Sequence, residues 1–282
     1  MSPVERVECP ICEADDAEPW AVDHLGHRIV RCRGCGLRYQ SPRPTGREAL
    51  DIYDAEYFER ERLGASRHRA IPGATSRHYL ETIFRYCRTP RPDLLDIGTG
   101  LGQFARVAAK SAAVASVTAT DVVDTHRETL REAGVDLLVG ELGELELGRY
   151  DVVTAHHVLE HVDRPGALLR RIREAMRNTA IFHVVVPNEG GAMSRWKSFL
   201  SRHRLKRRAF RHLGAHHHLW FFERETLRRL LEKHGFVVVR AGTTSAAKRR
   251  SPPERLAHAA LDAARWNTWL EFVATKRRQE ER

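Results

Sequence analysis

The feature that most constrains the fold of this chain is a short apolar run that ends in an acid and leads into closely spaced glycines. The segment reads LLDIGTGLGQ, so Asp96 precedes Gly98 by two positions, and Gly100 and Gly102 follow at alternate positions. This pattern is typical of a buried parallel strand that enters a tight turn and then a helix. The glycines let the backbone bend sharply and let a ligand lie against bare peptide. A turn with a purely structural purpose is the alternative.

The rest of the chain alternates strand and helix patterns, which predicts an α/β fold with a parallel sheet and helices on both faces. The predicted strands cover 93–97, 114–120, 135–139, 150–155, 180–186, 236–240 and 270–276. The predicted helices cover 102–110, 164–177 and 225–234, with a further helix capped by Asp124 and closed by Gly134. The seventh strand is expected to run antiparallel to the others.

Four of the five cysteines form two C-x2-C pairs that are separated by nineteen residues. They are Cys9, Cys12, Cys32 and Cys35. Each pair can aim two thiolates at one metal ion, and two pairs complete a tetrahedral site with no open position, which is a structural zinc site. We therefore predict a small zinc ribbon over residues 1–42 with a hairpin across 20–30. Two disulfides or a redox C-x-x-C pair are the competing interpretations.

The G-x-G-x-G spacing differs from the G-x-G-x-x-G dinucleotide fingerprint, and the loop resembles the first signature of class I S-adenosylmethionine (SAM)-dependent methyltransferases. The order of cysteine pairs, C-G-L-x-Y, S-P-R-P, Y-x-x-x-Y-F and glycine loop resembles a bacterial family of zinc-ribbon methyltransferases. The resemblance implies a Rossmann-like seven-stranded methyltransferase fold over 91–282, preceded by a linker and helices over 43–90 that cover the cofactor site. It implies SAM as the cofactor beside the structural Zn²⁺.

The resemblance also implies a set of cofactor-binding residues. They are Tyr57, Asp96, Gly98, Thr99, Gly100, Gly102, Asp121, Val122, Glu141 and His156. Asp121 ends the second strand, where a carboxylate can accept both ribose hydroxyls; a solvated turn acid is the alternative. Val122 is expected on the adenine face and Glu141 near the adenine amino group.

Two histidine-rich runs are expected at the carboxyl edge of the sheet, where ligands bind in open α/β folds. The run HHVLEHV matches the family and makes His157 a candidate catalytic residue, with capping of the next helix as the alternative for Glu160 and His161. The run HHHLWFF resembles the family's acceptor-facing segment, so His218 is predicted to be a general base or, alternatively, to hold its loop. Neighbouring side chains of an extended segment point to opposite faces, so one shared metal ion is not expected there.

The formal net charge of +10 suits an anionic partner. Many cations lie in an insert near 189–215, interleaved with aromatic and aliphatic residues. We predict a helix there with cations on one side and an apolar stripe on the other. Such a helix can contact a phosphate-bearing acceptor, make a peripheral contact with an anionic membrane, or pack its stripe on the core.

These features together predict a methyltransferase that acts on a small-molecule acceptor, with phosphorylated, sugar and lipid-linked compounds as the candidate classes. A nucleic-acid methyltransferase is disfavoured, because T-A-H-H follows strand four where resembling enzymes carry N/D-P-P-[YFW]. A non-catalytic SAM- or zinc-binding interaction protein is the third interpretation. The chain shows no leader pattern and no apolar run long enough to span a bilayer, so we expect a cytoplasmic protein. The oligomeric state is not defined by the sequence.

Overall fold

The computed structural model of the protein describes residues 4–44, 73–124, 126–245 and 267–277. Tyr57, which the sequence assigned to the cofactor site, lies outside the described residues, as does most of the predicted linker over 43–90.

The described residues form thirteen strands. The first five are β1 (Val4–Glu5), β2 (Ala17–Val22), β3 (Arg28–Cys32), β4 (Arg38–Gln40) and β5 (Arg43–Pro44). The next five are β6 (Asp93–Ile97), β7 (Ser116–Asp121), β8 (Val135–Val139), β9 (Tyr150–His156) and β10 (Met176–Pro187). The last three are β11 (Trp220–Phe221), β12 (Phe236–Thr244) and β13 (Trp269–Lys276).

Seven of these strands form a central sheet in the order β12-β13-β10-β9-β6-β7-β8. The pairs from β10 through β9, β6 and β7 to β8 are all parallel. Only β13 runs antiparallel to its neighbours, β10 and β12. The predicted seven-stranded, Rossmann-like sheet with an antiparallel last strand is confirmed.

The described residues form six α-helices, and five of them pack on the two faces of the central sheet, α5 being the exception. The six are α1 (Gly73–Tyr86), α2 (Gln103–Ala109), α3 (Arg127–Glu132), α4 (Pro165–Ala175), α5 (Ala192–Arg202) and α6 (Arg224–Lys233). Apolar side chains of α1, α2 and α3 share one buried cluster with the sheet. Those of α4 and α6 share another cluster, which also contains residues of the N-terminal module. The sheet is therefore buried on both faces, as the near-continuous apolar character of its parallel strands requires.

Several element boundaries differ from those predicted. β9 continues through His156, which was expected to follow the strand. The helix predicted over 164–177 ends at Ala175, because Met176 already has the extended conformation that begins β10. β12 continues beyond 240 because it pairs with β13 as far as Thr244 and Trp269.

The N-terminal module is joined to the catalytic domain by a shared sheet. β2 and β3 form the predicted hairpin, β4 pairs with β3, and the edge of β4 pairs with β11, where Tyr39 lies opposite Trp220. The resulting four-stranded sheet has the order β11-β4-β3-β2. This sheet contains strands from both sides of the predicted boundary at residue 42.

A buried arginine connects the N-terminal module to the catalytic domain. Arg38 is only 7% exposed. Its Nη2 donates to Oε1 of Glu223 at 2.6 Å and to the backbone carbonyl of Glu189 at 3.1 Å. The guanidinium also lies 4.6 Å from the ring centroid of Trp20. A buried charge is tolerated when it is paired and hydrogen-bonded in this way, so Arg38 links the ribbon to the start of α6.

In α5, the helix of the insert, the buried side is polar and the exposed side carries apolar residues, which differs from the prediction. Ser198 and Ser201 form the buried side of α5, whereas Met193, Trp196 and Phe199 are 53%, 56% and 48% exposed. The inner side is polar because it serves the irregular chain that follows: Ser198 Oγ lies 3.1 Å from His212 Nε2, and Ser201 Oγ accepts the amide of Phe210 at 3.0 Å. The expected separation of cations from an apolar stripe is therefore wrong for α5, since the exposed aromatic residues lie among exposed arginines.

Further along the insert, apolar residues pack against the ribbon. Phe210, Leu213 and Ala215 share a buried cluster with Ile29 of β3. The rings of Phe210 and Trp20 are 5.4 Å apart. The insert therefore rests on the N-terminal hairpin. Within the described ranges, no helix has the length and apolar character to cross a membrane.

Candidate active site

The three glycines between β6 and α2 adopt left-handed backbone conformations, with φ of 63°, 53° and 65° at Gly98, Gly100 and Gly102. A Cβ on Gly98 would lie 2.7 Å from Val158, and one on Gly102 would lie 2.4 Å from Leu130. A Cβ on Gly100 would meet no described atom within 4 Å. Two glycines are therefore needed for packing, and the middle one borders open space at the carboxyl edge of the sheet.

Asp96 is a buried acid next to this loop. It is 3% exposed and accepts hydrogen bonds from the hydroxyls of Thr154 at 2.6 Å and Thr99 at 2.8 Å. Burial raises the pKa of Asp96 to about 6. Thr99, predicted from its place in the loop, therefore supports this carboxylate.

Asp121, Val122 and Glu141 are brought to neighbouring strand ends. Asp121 Oδ2 accepts the amide of Gly100 at 2.7 Å, and the Asp121 carbonyl accepts the amide of Gly140 at 2.9 Å. Val122 is 54% exposed and Glu141 is exposed in the turn after β8. Burial raises the pKa of Asp121. An exposed apolar side chain between two acids is a suitable surface for a nucleoside.

His156 is buried among aromatic rings at the end of β9. It is 7% exposed, and its ring centroid lies 4.6 Å from those of Tyr79 and Phe104. Its Nε2 is 2.8 Å from Nδ1 of His183, whose Nε2 is 3.2 Å from Glu271. Burial lowers the pKa of His156 well below its usual range.

The buried polar chain from His156 to Glu271 was not predicted from the sequence. Glu271 also lies 3.2 Å from His78 and 2.9 Å from Arg240. The one available signal was that Glu271 is the only acid in the otherwise apolar strand pattern LEFVATK. Because an acid at such a position is expected to be paired when buried, it pointed to an unseen basic partner.

The loop after β9 gathers His157, Glu160 and His161. Nδ1 of His157 and Nε2 of His161 lie 3.4 Å and 3.7 Å from Oε1 of Glu160, which is 1% exposed. Burial favours a raised pKa for Glu160, but the charges of the neighbouring His161 and His157 hold it below its usual value. The first residue before α4 is Arg164, and no side-chain capping bond is found there among the described residues. Helix capping therefore does not explain this cluster.

The three consecutive histidines form a turn rather than an extended segment. The amides of His217 and His218 both donate to the carbonyl of Gly214, at 2.9 and 2.8 Å. Gly214 has φ of 63° and closes the short 3-10 helix Arg211–Leu213, which allows this geometry. The expectation that neighbouring rings point to opposite faces is therefore wrong here.

His218 lies against the loop after β9. Its ring centroid is 4.8 Å from that of His161, and its Nδ1 is 2.7 Å from the carbonyl of Leu213. Burial and the charge of His161 lower the pKa of His218 to about 3. The loop-holding hydrogen bond considered from the sequence is present, and it leaves Nε2 for another partner.

The four cysteine sulfurs meet at one point of the ribbon. The Sγ atoms of Cys9 and Cys35 are 3.5 Å apart, those of Cys12 and Cys32 are 3.7 Å apart, and all four lie within 4.8 Å of one another. Thiolates bound to zinc at about 2.3 Å in a tetrahedron are separated by about 3.8 Å, whereas a disulfide requires about 2.0 Å. The donor set and its spacing fit one tetrahedral metal ion.

The strand order, the single antiparallel strand and the acid–glycine loop at the carboxyl edge together define the fold of SAM-dependent methyltransferases. A family model described as a methyltransferase domain matches residues 58–241, which is more than half of the chain. The chain belongs to this methyltransferase family and is a SAM-dependent methyltransferase.

Solved structures share the fold at low sequence identity. The 1,6-didemethyltoxoflavin-N1-methyltransferase of Burkholderia thailandensis, with its substrate and S-adenosylhomocysteine bound, has a TM-score of 0.58 at 18% identity, over 93% of this chain and 100% of that one. The plantazolicin methyltransferase BpumL, in complex with S-adenosylhomocysteine, has a TM-score of 0.57 at 14% identity, over 82% and 94%. A complex of the Haloferax volcanii Trm112 methyltransferase activator and a methyltransferase gives 0.56 at 14% identity, over 84% and 100%. No curated protein sequence matches the chain.

Proposed function

We propose that this methyltransferase acts on a small-molecule acceptor that binds against the loop after β9, beside the glycine loop. The contact between the two loops carries the proposal, because a Cβ on Gly98 would lie 2.7 Å from Val158. Val158 stands between His157 and Glu160, so the cofactor loop and the polar cluster are neighbours at the carboxyl edge. Open α/β sheets bind their ligands at this edge.

For the cofactor, we propose that the glycine loop and Asp96 receive the methionine end of SAM and that Asp121 accepts the ribose hydroxyls. Val122 would pack on the adenine, Glu141 would accept from its amino group, and His156 would support the cofactor site from the end of β9. Bound SAM supplies a methyl group that its sulfonium already activates. The buried carboxylate of Asp96 supports this assignment, since the α-ammonium of SAM would offset the cost of ionising a buried acid.

On the acceptor side, the enzyme must hold a nucleophile in line with the methyl carbon and exclude water, which is worth about 7–11 kcal/mol in favourable cases. A proton acceptor is needed only for a protonated acceptor group. We propose His157 and His218 as the two candidates. His157 has its Nδ1 beside Glu160 and a buried Nε2 that lacks a hydrogen-bond partner among the described residues, which suits a base oriented by a carboxylate.

We propose that the acceptor is anionic and lipid-linked. The exposed side of α5 supports this, because Trp196 and Phe199 stack there with centroids 5.7 Å apart, and Arg195 and Arg202 are exposed on the same helix. Aromatic groups among cations suit the boundary between anionic headgroups and acyl chains.

We propose that the four cysteines hold one Zn²⁺ with a structural purpose. Four thiolates fill a tetrahedral shell and leave no position for substrate. The ion would then stabilise the sheet that β11 completes.

The test supplies the enzyme with SAM labelled in its methyl group and with cell extract separated into small molecules, lipids, nucleic acid and protein. We expect label in the small-molecule or lipid fraction, and its loss with the Asp121→Ala variant. Label in the nucleic acid or protein fraction would overturn the proposed acceptor class, while SAM binding without transfer to any fraction would favour the non-catalytic interpretation.

A further inference from the structure

We propose that Glu160, His161 and His218 form a second divalent-metal site, separate from the four cysteines. Each residue offers one donor atom, and these atoms lie within 4.8 Å of one another. Two come from the loop after β9 and the third from the turn that Gly214 makes possible. The sequence argued only that the three consecutive histidines cannot all bind one ion, and the proposed site takes one of them, His218.

The hydrogen bonds of His161 and His218 indicate which ring nitrogen of each would bind a metal ion. Nδ1 of His161 lies 2.9 Å from the carbonyl of His217, and Nδ1 of His218 lies 2.7 Å from the carbonyl of Leu213. A carbonyl only accepts, so Nδ1 carries a hydrogen in each ring, and Nε2 is the nitrogen that would bind a metal ion with release of any proton it carries. Metal-ligating histidines are commonly held by such a bond from the other ring nitrogen.

The carboxylate between them has no strong partner. Glu160 is 1% exposed, and neither of its oxygens has a hydrogen bond within the described part of the chain. The nearest groups are Nδ1 of His157 at 3.4 Å and Nε2 of His161 at 3.7 Å. A buried carboxylate without a hydrogen bond is costly, and a metal ion bound between it and the two imidazoles would offset that cost.

The donor set indicates the kind of ion. Two imidazoles and one carboxylate suit zinc or a related transition metal better than magnesium or calcium, which prefer oxygen donors. Tetrahedral ligands at about 2.1 Å lie about 3.4 Å apart, so small side-chain rotations would close the cluster. Three protein ligands leave one position open, which is the pattern of catalytic rather than structural zinc.

The open position would take an oxygen ligand. If the proposed methyl transfer is correct, that ligand is a hydroxyl or enol oxygen of the acceptor, whose acidity a bound cation increases. With its Nε2 on the ion, His218 could not also accept a proton, which leaves His157 as the candidate base. This last step rests on the proposed function, whereas the metal site itself does not.

The test measures zinc per chain on the full-length protein after equilibration with a zinc-buffered solution, by mass spectrometry of the metal. We expect two ions in the wild type and one in each of Glu160→Gln, His161→Ala and His218→Ala. The control His203→Ala removes an exposed histidine of the insert and should retain two. SAM titration of each variant, by calorimetry, reports whether the fold is intact.

Replacement of zinc by Co²⁺ assigns each ion without relying on those variants. Thiolate ligands give intense charge-transfer absorption, whereas nitrogen and oxygen ligands give only weak visible bands. In the wild type we expect two bound Co²⁺ ions per chain, with thiolate absorption that accounts for only one of them. A wild type that holds only the thiolate-bound ion, or a folded His218→Ala that keeps its full metal content, would overturn the site. Because neither readout needs turnover, failure of the proposed methyl transfer would leave this test unaffected.

Discussion

Burial of Asp96 lowers the stability of the folded protein at neutral pH, a cost that bound SAM would offset at the site proposed for it. Its folded pKa of about 6 is above its usual value of 3.8 because burial disfavours the ionised form. The folded state therefore binds the proton more tightly than the unfolded state, and the contribution of Asp96 to stability falls as pH rises from about 4 to 6. Two pKa units correspond to roughly 3 kcal/mol. We expect Asp96→Asn to match the wild type near pH 4 and to be more stable by up to that amount at pH 7.5, by urea unfolding, while binding SAM more weakly.

Asp93, at the other end of the same strand, provides a matched control. Its pKa is lowered by a hydrogen bond from Ser116 and by Arg177. Asp93→Asn should therefore lose stability at neutral pH and bind SAM normally. If Asp96→Asn gained no stability between pH 4 and 7.5, the buried-acid account of this residue would fail.

Asp121 is expected to dominate recognition of the ribose. Asp121→Ala removes a charged acceptor whose hydrogen bonds are worth about 1.5–3 kcal/mol each, so SAM affinity should fall by about tenfold or more from a micromolar wild-type value, roughly −8 kcal/mol. Isothermal titration measures the change, with Asp124→Ala, an exposed acid three residues further on, as the control. Equal affinity in Asp121→Ala would mean that another acid holds the ribose, and binding of NAD instead of SAM would contradict the cofactor assignment.

At this scale, local pattern predicted Asp96, Thr99 and the glycines, since their backbone and burial follow from neighbouring residues. The contact of His156 with His183 was not predictable in the same way. Those two residues lie on adjacent parallel strands and meet through the register of β9 and β10, in which Val185 pairs with His156. Register between strands separated by a helix is set by tertiary packing rather than by local pattern.

Among the elements, β11 connects the four-cysteine module to the turn that carries His218. It follows directly on the histidine turn and pairs with β4, while Lys233 at the end of α6 donates to the carbonyl of Ile11 at 2.8 Å. Loss of the ribbon metal should therefore disturb β11 and the turn that carries His218. Asp96 and Asp121, which we propose to bind SAM, lie on β6 and β7, and these strands share no strand pairing with the ribbon.

We expect Cys9→Ser to bind SAM within about twofold of wild type but to lose most of its methyl transfer, and to unfold its ribbon at lower temperature. The measurements are calorimetric SAM titration and labelled-methyl transfer on the same preparation. Cys87→Ser, which alters the cysteine outside the cluster, is the control. Full activity in a metal-free Cys9→Ser protein would show that β11 keeps its place without the ribbon.

The sequence predicted long elements and missed short ones for a physical reason. The strands of five or more residues in the central sheet carry enough apolar positions to reveal their period. β11 contains only Trp220 and Phe221, and these resemble any buried aromatic pair. Its pairing with β4 joins residues far apart in the chain, so no local pattern could indicate it. The buried Ser198 and Ser201 of α5 were likewise missed, because their partners lie in an irregular segment.

For the whole molecule, the net charge of +10 and the exposed face of α5 act together. We expect the protein to sediment with vesicles that contain anionic phosphatidylglycerol and to remain free of neutral phosphatidylcholine vesicles. The double variant Trp196→Ser and Phe199→Ser should weaken that binding several-fold, and salt should weaken it further. Val237→Ser, which removes an exposed aliphatic side chain from β12, is the control. Equal binding to neutral vesicles, or binding unchanged by the double variant, would contradict the proposed lipid-linked acceptor.

The pairing of β4 with β11 also sets an order of events during synthesis. The ribbon leaves the ribosome well before β11, so the edge of β4 stays unpaired until Trp220 and Phe221 have been added, about 180 residues later. At about 5–20 residues per second, this interval is roughly 10–40 s. An unpaired strand edge invites association with other chains. The ribbon is therefore made long before the strand that completes its sheet, and the nascent chain carries a vulnerable edge throughout that interval.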